Sequence, residues 1–195
     1  MTVLALLRHA PTDWNKARRL QGRADIPISD TSRSELARRR LPQSVGELRT
    51  LSSPLRRCLE TAALLSLEPA VEPRLVEMDW GRYEGHTLRD LHARFGFDLA
   101  ANEARGLDFR PPDGESPRDV QTRIEPLLAE IAAAARPTLA VTHRGVIRAV
   151  YARAIGWDMK SKPPHEVDLY ALQIFRLAPD GTPVVERLNV ALEIR

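Results

Sequence analysis

The chain begins with a short apolar stretch, Val3-Leu4-Ala5-Leu6-Leu7, that leads directly into Arg8 and His9. Five apolar residues without polar alternation predict a strand buried on both faces, as strands of parallel sheets are. The residues that follow such a strand lie at the carboxyl edge of the sheet, where open α/β sheets bind their ligands. This stretch therefore predicts an α/β fold with a ligand site at the carboxyl edge of its sheet.

Strand and helix patterns alternate through the rest of the chain. Ser53 and Ser116 each precede a proline, a pairing typical of helix starts because serine caps free backbone N–H groups and proline fits the first turn. This alternation predicts an α/β fold, a three-layer α/β/α sandwich with a mostly parallel sheet and an antiparallel edge strand. The later predicted strands are 48–51, 71–73, 139–141, 169–177 and 184–188, and the predicted helices are 34–40, 54–67, 117–131 and 145–155.

The length of 195 residues suits one domain with a substantial core. Neither an internal repeat nor a low-complexity linker divides the chain, so we predict a single domain over residues 1–195. Residues 81–115 mix glycine, proline and histidine without a clear period. We predict that they form an insertion over the sheet and its site.

Composition limits the classes of partner. A hydrophobic fraction of 43% and a charged fraction of 28% are typical of a soluble globular protein. No apolar run approaches the roughly 20 residues that span a bilayer, and the opening stretch is too short for a signal-peptide core. Cys58 is the only cysteine, which excludes an intrachain disulfide. Together these features predict a cytoplasmic protein that does not bind a membrane.

The formal net charge of +3 suits an anionic ligand. The densest basic segment lies within residues 33–40, on a predicted helix, and no aromatic residues interleave with its arginines. That pattern is more typical of a solvated helix face than of a nucleic-acid surface. We therefore predict a small anionic substrate and no nucleic-acid partner.

Three predicted strands are followed by residues suited to phosphate chemistry. The first leads into Arg8 and His9, the second into residues 53–57, and the third into residues 142–144, Thr-His-Arg. The carboxyl ends of parallel strands meet at one edge of a sheet. Two histidines and several arginines from distant parts of the sequence are therefore predicted to meet there.

Hydrolysis of a phosphate monoester needs this mixture of side chains. Arginines neutralise the dianion and hold its oxygens in a bidentate fork. A neutral imidazole can then attack phosphorus if its other nitrogen is held in one tautomer. The leaving alkoxide needs a proton, which a carboxylic acid can supply when its pKa is raised toward neutrality.

The sequence around His9 also resembles a known family. Residues 7–15, LRHAPTDWN, are similar to the Arg-His-Gly-x-Thr-x-Trp-Asn signature of the histidine phosphatase superfamily, which includes the cofactor-dependent phosphoglycerate mutases and related bacterial phosphatases. Further motifs resemble those of the family in the same order. They are QGRADIPIS (21–29), SSPLRRCLETA (52–62), LVEMDWGRYEG (75–85), DGES (113–116) and VTHRGVIR (141–148).

The resemblance implies a phosphatase that forms a transient phosphohistidine on His9. It implies that Glu77 protonates the leaving group and later activates water. It implies no metal ion or other cofactor, since arginines and a second histidine supply the positive charge. The residues implied to surround the phosphoryl oxygens are Arg8, Arg57, Asn15 and His143, and Gln21 and Gly22 are candidate substrate contacts.

Two residues depart from the pattern of the family. Ala10 follows His9, and Arg144 follows His143, where glycine is usual in both places. The Ala10 methyl group could narrow or shift the phosphate loop, since glycine allows close backbone approach. Arg144 could reach a second anionic group of the substrate, and we include it among the substrate-binding candidates.

Phosphomonoester hydrolysis is the leading hypothesis. Two alternatives stay open: a phosphoglycerate mutase, and a phospholigand-binding protein that has lost turnover. A cysteine-dependent phosphatase is disfavoured, because Leu64 stands where an arginine would have to follow Cys58. No phosphate-binding P-loop and no paired metal-ligand motif appears in the sequence. The sequence leaves the natural substrate unspecified and leaves a homodimer open.

Overall fold

The computed structural model describes residues 1–168 and 170–195, and most of its strands form one mixed sheet. The order across this sheet is β4-β3-β5-β1-β6-β7, and β2 and β8 form a separate pair. The pairs β1–β5, β3–β5 and β3–β4 are parallel, whereas β6 is antiparallel to both β1 and β7. The strands are β1 (Thr2–Arg8), β2 (Arg39–Arg40), β3 (Arg49–Ser52), β4 (Ala70–Val71), β5 (Thr138–Thr142), β6 (Leu172–Leu177), β7 (Pro183–Val190) and β8 (Glu193–Ile194).

Helices cover both faces of this sheet. No helix in the described part of the chain is long and apolar enough to cross a membrane. Short 3-10 turns occupy Gln43–Val45, Pro73–Leu75, Gly81–Tyr83 and Gly106–Asp108. The α-helices are α1 (Asp13–Lys16), α2 (Asp30–Leu36), α3 (Arg56–Leu64), α4 (Leu88–Glu103), α5 (Pro117–Ala134) and α6 (Arg144–Ile155).

Strand β1 divides the core into two layers. Its Leu4 and Leu6 pack with the apolar faces of α5 and α6, and its Ala5 and Leu7 pack on the opposite side of the sheet, with residues that include Leu36 of α2. All four side chains are at most 2% exposed, which explains why β1 reads as a continuous apolar run. The α/β sandwich with a mostly parallel sheet and an antiparallel edge is confirmed.

The helix predicted at 34–40 begins earlier and ends earlier. Ser29 caps α2 by accepting a hydrogen bond from the Ser32 backbone N–H, and the helix ends at Leu36. Arg39 and Arg40 belong instead to β2, where they pair with β8 near the end of the chain. A partner more than 150 residues away decides this short strand, so local propensity could not reveal it.

Ser53 does not cap α3, contrary to the sequence-based prediction. The helix begins at Arg56, and the Asp25 carboxylate accepts the Arg56 backbone N–H at 2.7 Å. The Ser53 hydroxyl oxygen instead accepts the Leu55 backbone N–H at 3.3 Å, just before the helix, and also contacts His143. By contrast, Ser116 caps α5, as predicted, and Asp119 completes a capping box with it.

The other boundaries agree to within a few residues. The late strands form the predicted antiparallel hairpin, although β6 begins at Leu172 rather than at 169, and Leu169 lies outside the described residues. Residues 81–115 contain α4, which is kinked at Gly96, and two 3-10 turns. That these residues are an insertion stays a prediction.

Candidate active site

His9 lies immediately beyond the end of β1 and is buried, with 3% of its surface exposed. Its Nδ1 lies 2.8 Å from the Ala10 carbonyl oxygen, which can only accept, so Nδ1 carries the proton. The Nε2 lone pair is then free. Burial holds the pKa of His9 well below its usual value, and the charges of Arg8 and Arg57 lower it further. His9 is therefore a neutral imidazole in one tautomer, the form a nucleophile requires.

His143 stands opposite His9 and is fully buried. The two ring centroids are 5.2 Å apart. Its Nδ1 accepts a hydrogen bond from Nε of Arg57 at 3.3 Å, which leaves the proton on Nε2, 2.7 Å from the Ser53 hydroxyl oxygen. Burial lowers the pKa of His143 well below its usual value, with Arg57 as the next cause. Both ring nitrogens of His143 are thus occupied, unlike those of His9.

Arg57 and Arg8 differ in their hydrogen-bond partners. Arg57 is buried in α3 and donates to His143 and to the carbonyl oxygens of Ala24 and Gly22, at 2.7 and 2.8 Å for the two carbonyls. Arg8 donates to no acceptor in the described part of the chain, and its Nε is buried without a partner. A buried donor without an acceptor costs about 1–3 kcal/mol. Arg8 therefore marks a place for an anion.

Glu77 follows the 3-10 turn Pro73–Leu75 and is buried at the start of α6. Its Oε1 accepts hydrogen bonds from the backbone N–H groups of Met78 at 2.8 Å and Gly145 at 3.0 Å. Burial raises the pKa of the Glu77 carboxyl, and these two hydrogen bonds only partly offset that effect. A carboxyl with a raised pKa is suited to act as a general acid near neutral pH.

A cavity of about 340 Å³ joins these groups at the carboxyl edge of the sheet. It brings together eight of the nine predicted site residues. The ninth, His143, lies behind His9 and Arg57 and is not part of the cavity wall. The eight are Arg8, His9, Asn15, Gln21, Gly22, Arg57, Glu77 and Arg144.

The loop after β1 presents polar groups to this cavity. The side-chain oxygen of Asn15 accepts the Thr12 backbone N–H in a capping box, which leaves the amide nitrogen free to donate. The Gln21 side-chain oxygen is buried without a partner among the described residues. Gly22 has φ of +50°, and a Cβ there would collide with the Glu84 carboxylate, so the turn needs glycine.

Ala10 fits its position without strain. Its backbone N–H donates to the Thr61 hydroxyl at 2.9 Å, and its φ lies outside the left-handed region. The methyl group packs with Leu7 in the core layer on that side of the sheet. The structure therefore accommodates alanine where the family usually has glycine.

Arg148 is a cavity residue that the sequence analysis missed. It lies one turn after Arg144 on α6, and its guanidinium stacks 5.0 Å from the ring centroid of Trp157. Burial lowers its pKa to about 10, and the charge of Arg144 contributes. The spacing of four residues on a predicted helix was a usable signal, because it places both arginines on one face.

Ser53 was also missed. The hydroxyl of Ser53 orients His143, a role concealed by the prediction that it caps a helix. Trp80, Leu88 and Phe109 form an apolar part of the cavity wall. Asp79 and Glu84, the carboxylates near Glu77, lie outside the cavity wall and contact Arg23 instead.

The site combines a neutral histidine, two arginines and a buried carboxyl at the edge of a parallel sheet. An enzyme that acts on phosphate esters needs this set of groups. Comparisons with known proteins identify the family within this class of enzymes. The family model of the histidine phosphatase superfamily (branch 1) matches residues 4–191, and the chain belongs to that family. The protein is a phosphatase of this type, as the sequence analysis predicted.

Relatives and solved structures agree with this assignment. A glucosyl-3-phosphoglycerate phosphatase of Mycolicibacterium vanbaalenii is 34% identical over 82% of this chain and 77% of its own. Phosphoserine phosphatase 1 of Hydrogenobacter thermophilus is 29% identical over 82% and 79%. The structure of a mycobacterial glucosyl-3-phosphoglycerate phosphatase in complex with VO3 superposes with a TM-score of 0.78 at 27% identity, covering 98% of this chain and all of that one.

Proposed function

We propose that the protein hydrolyses a small phosphomonoester that carries a second anionic group, by transferring the phosphoryl group first to His9 and then to water. The observation that supports this most directly is the tautomer of His9, whose Nδ1–H donates to the Ala10 carbonyl, so that Nε2 carries a lone pair instead of a proton. A phosphoryl group held by Arg8, Arg57 and the Asn15 amide would have phosphorus in reach of Nε2.

In the first step, the Nε2 lone pair forms a bond to phosphorus while the bond from phosphorus to the ester oxygen breaks. The protonated Glu77 carboxyl gives its proton to that oxygen, which leaves as an alcohol. In the second step, the Glu77 carboxylate takes a proton from water as the water oxygen attacks phosphorus. The N–P bond breaks, His9 regains its neutral form, and inorganic phosphate leaves.

The test is phosphate release from a panel of phosphomonoesters in excess EDTA. We expect release from several members, because arginines rather than a metal ion supply the positive charge in this mechanism. Release that requires an added divalent metal would contradict the mechanism. The panel should contain 3-phosphoglycerate, so that formation of 2-phosphoglycerate without phosphate release would show a mutase. Tight binding without either reaction would show a phospholigand-binding protein.

The second anionic group is proposed from the charge on α6. Neither Arg144 nor Arg148 has an acceptor in the described part of the chain, although Arg148 is largely removed from water. Arg153, on the same helix, pairs with Glu125. Two unpaired arginines that face one cavity favour a ligand with negative charge beyond its phosphate. The relatives above are named for esters that carry a carboxylate beside the phosphate.

Replacing Arg148 with methionine is expected to raise KM for 3-phosphoglycerate or phosphoserine by about tenfold or more, since a hydrogen bond to a charged group is worth about 1.5–3 kcal/mol. Methionine keeps an apolar stem against Trp157. KM for p-nitrophenyl phosphate, which has no second anion, should stay nearly unchanged. The matched control is Arg153→Met, which should change neither value. An equal rise for both kinds of substrate would contradict the second-anion contact.

A further inference from the structure

The segment that carries Glu77 has little regular secondary structure to hold it. Residues 76–80 lie between the 3-10 turns Pro73–Leu75 and Gly81–Tyr83, outside every strand and α-helix. A general acid must nevertheless be held to within a fraction of an ångström of its productive position. Backbone groups in such a segment need partners from elsewhere in the molecule.

Arg123 of α5 supplies two of these partners. One of its terminal nitrogens, Nη1, donates to the Arg74 carbonyl, and the other, Nη2, donates to the Val76 carbonyl at 2.6 Å. The two carbonyls lie on either side of Leu75, whose own carbonyl accepts the Thr142 hydroxyl at 2.8 Å. Three successive carbonyls leading up to Glu77 are thus held by side chains from α5 and β5.

Glu115 holds the same segment from its other end. Its Oε2 accepts the Asp79 backbone N–H at 3.1 Å, and its own backbone N–H donates to the Asp79 carbonyl at 2.9 Å. Its Oε1 lies 3.0 Å from Nε of Arg123 and 3.0 Å from Nη2 of Arg23. The side chains of Arg123 and Glu115 are each 19% exposed, so the pair is partly shielded from water.

We infer that Arg123 and Glu115 are positioning residues for the general acid, and this inference rests on the function proposed above. They contact neither the cavity nor any group that would react. They act through the peptide units before and after Glu77, and so fix where its carboxyl meets the start of α6. Arginine suits this task because its planar fork reaches two carbonyls and a carboxylate at once.

A defect in positioning the acid has a kinetic signature that a general loss of stability lacks. It slows reactions whose leaving group needs a proton more than reactions whose leaving group does not. We expect Arg123→Gln to lower kcat by about tenfold or more for an alkyl phosphate such as 3-phosphoglycerate, because a small misplacement of a catalytic group is costly. With p-nitrophenyl phosphate the loss should be several times smaller, and KM should change little for either substrate.

Arg118→Gln is the matched control, because Arg118 lies on the same helix and, among the described residues, its side chain pairs only with Asp108 at the surface. It should leave both rates near those of the wild type. Arg123→Lys keeps the charge but not the fork, and it provides a second variant if Arg123→Gln does not fold. A folded Arg123 variant that slows both substrates equally, or neither, would overturn the inference. Wild-type protein without EDTA-resistant phosphatase activity would instead count against the proposed function.

Discussion

Replacing His9 with alanine is expected to abolish turnover, lowering kcat for every phosphomonoester by about 10⁴-fold or more, a scale typical of an enzyme that loses its nucleophile. The other buried histidine cannot take over. Both ring nitrogens of His143 are occupied, by Arg57 and by Ser53, whereas Nε2 of His9 has no hydrogen-bond partner in the described part of the chain. Phosphate release in excess EDTA, compared between wild type and variant, measures the effect.

Binding should survive this substitution. Arg8 and Arg57 remain in the His9→Ala variant, so titration with inorganic phosphate should still show an interaction. An acid-labile phosphoryl group should form on the wild type during turnover and be absent from the variant. The control is His86→Ala, since His86 is exposed and does not line the cavity. Persistent turnover or phosphorylation of the His9→Ala variant would rule out His9 as the nucleophile.

Replacing Glu77 with glutamine is expected to slow alkyl phosphate hydrolysis by roughly 10²- to 10⁴-fold, the usual contribution of a general acid. The amide oxygen can still accept the Met78 and Gly145 backbone N–H groups, so the fold should be retained. The rate of p-nitrophenyl phosphate hydrolysis should fall less, because p-nitrophenolate leaves without protonation. Equal slowing of both substrates would count against Glu77 as the acid. Asp79→Asn tests a neighbouring carboxylate that the cavity does not include, and it should show no such selectivity.

The pH dependence of kcat/KM follows from two shifted groups. His9 must be neutral to attack, and burial lowers its pKa well below 6.5, so the activity should fall on the acid side only well below that pH. Glu77 must be protonated to donate, and burial raises its pKa, so the activity for alkyl phosphates should fall as the pH rises through that raised value. The Glu77→Gln variant should lose the fall in kcat/KM at alkaline pH and keep the fall at acid pH.

Much of the fold could be predicted because its signals are local. The apolar run of β1 and the capping box at Ser116 each depend on residues within a few positions of one another. The errors occurred where a distant partner decided the structure. Arg39 and Arg40 pair with β8, and Asp25 rather than Ser53 occupies the start of α3.

For the site as well, some properties follow from local sequence and others from distant partners. The sequence by itself determined the family, the candidate nucleophile His9 and the gathering of arginines at strand ends, because these depend on contiguous motifs and on the direction of parallel strands. Only the tertiary structure decided the tautomers of His9 and His143, the raised pKa of Glu77 and the support from Arg123 and Glu115. Those properties depend on burial and on backbone carbonyls, and every residue has a carbonyl, so no pattern of side chains in the sequence shows which ones an arginine will reach.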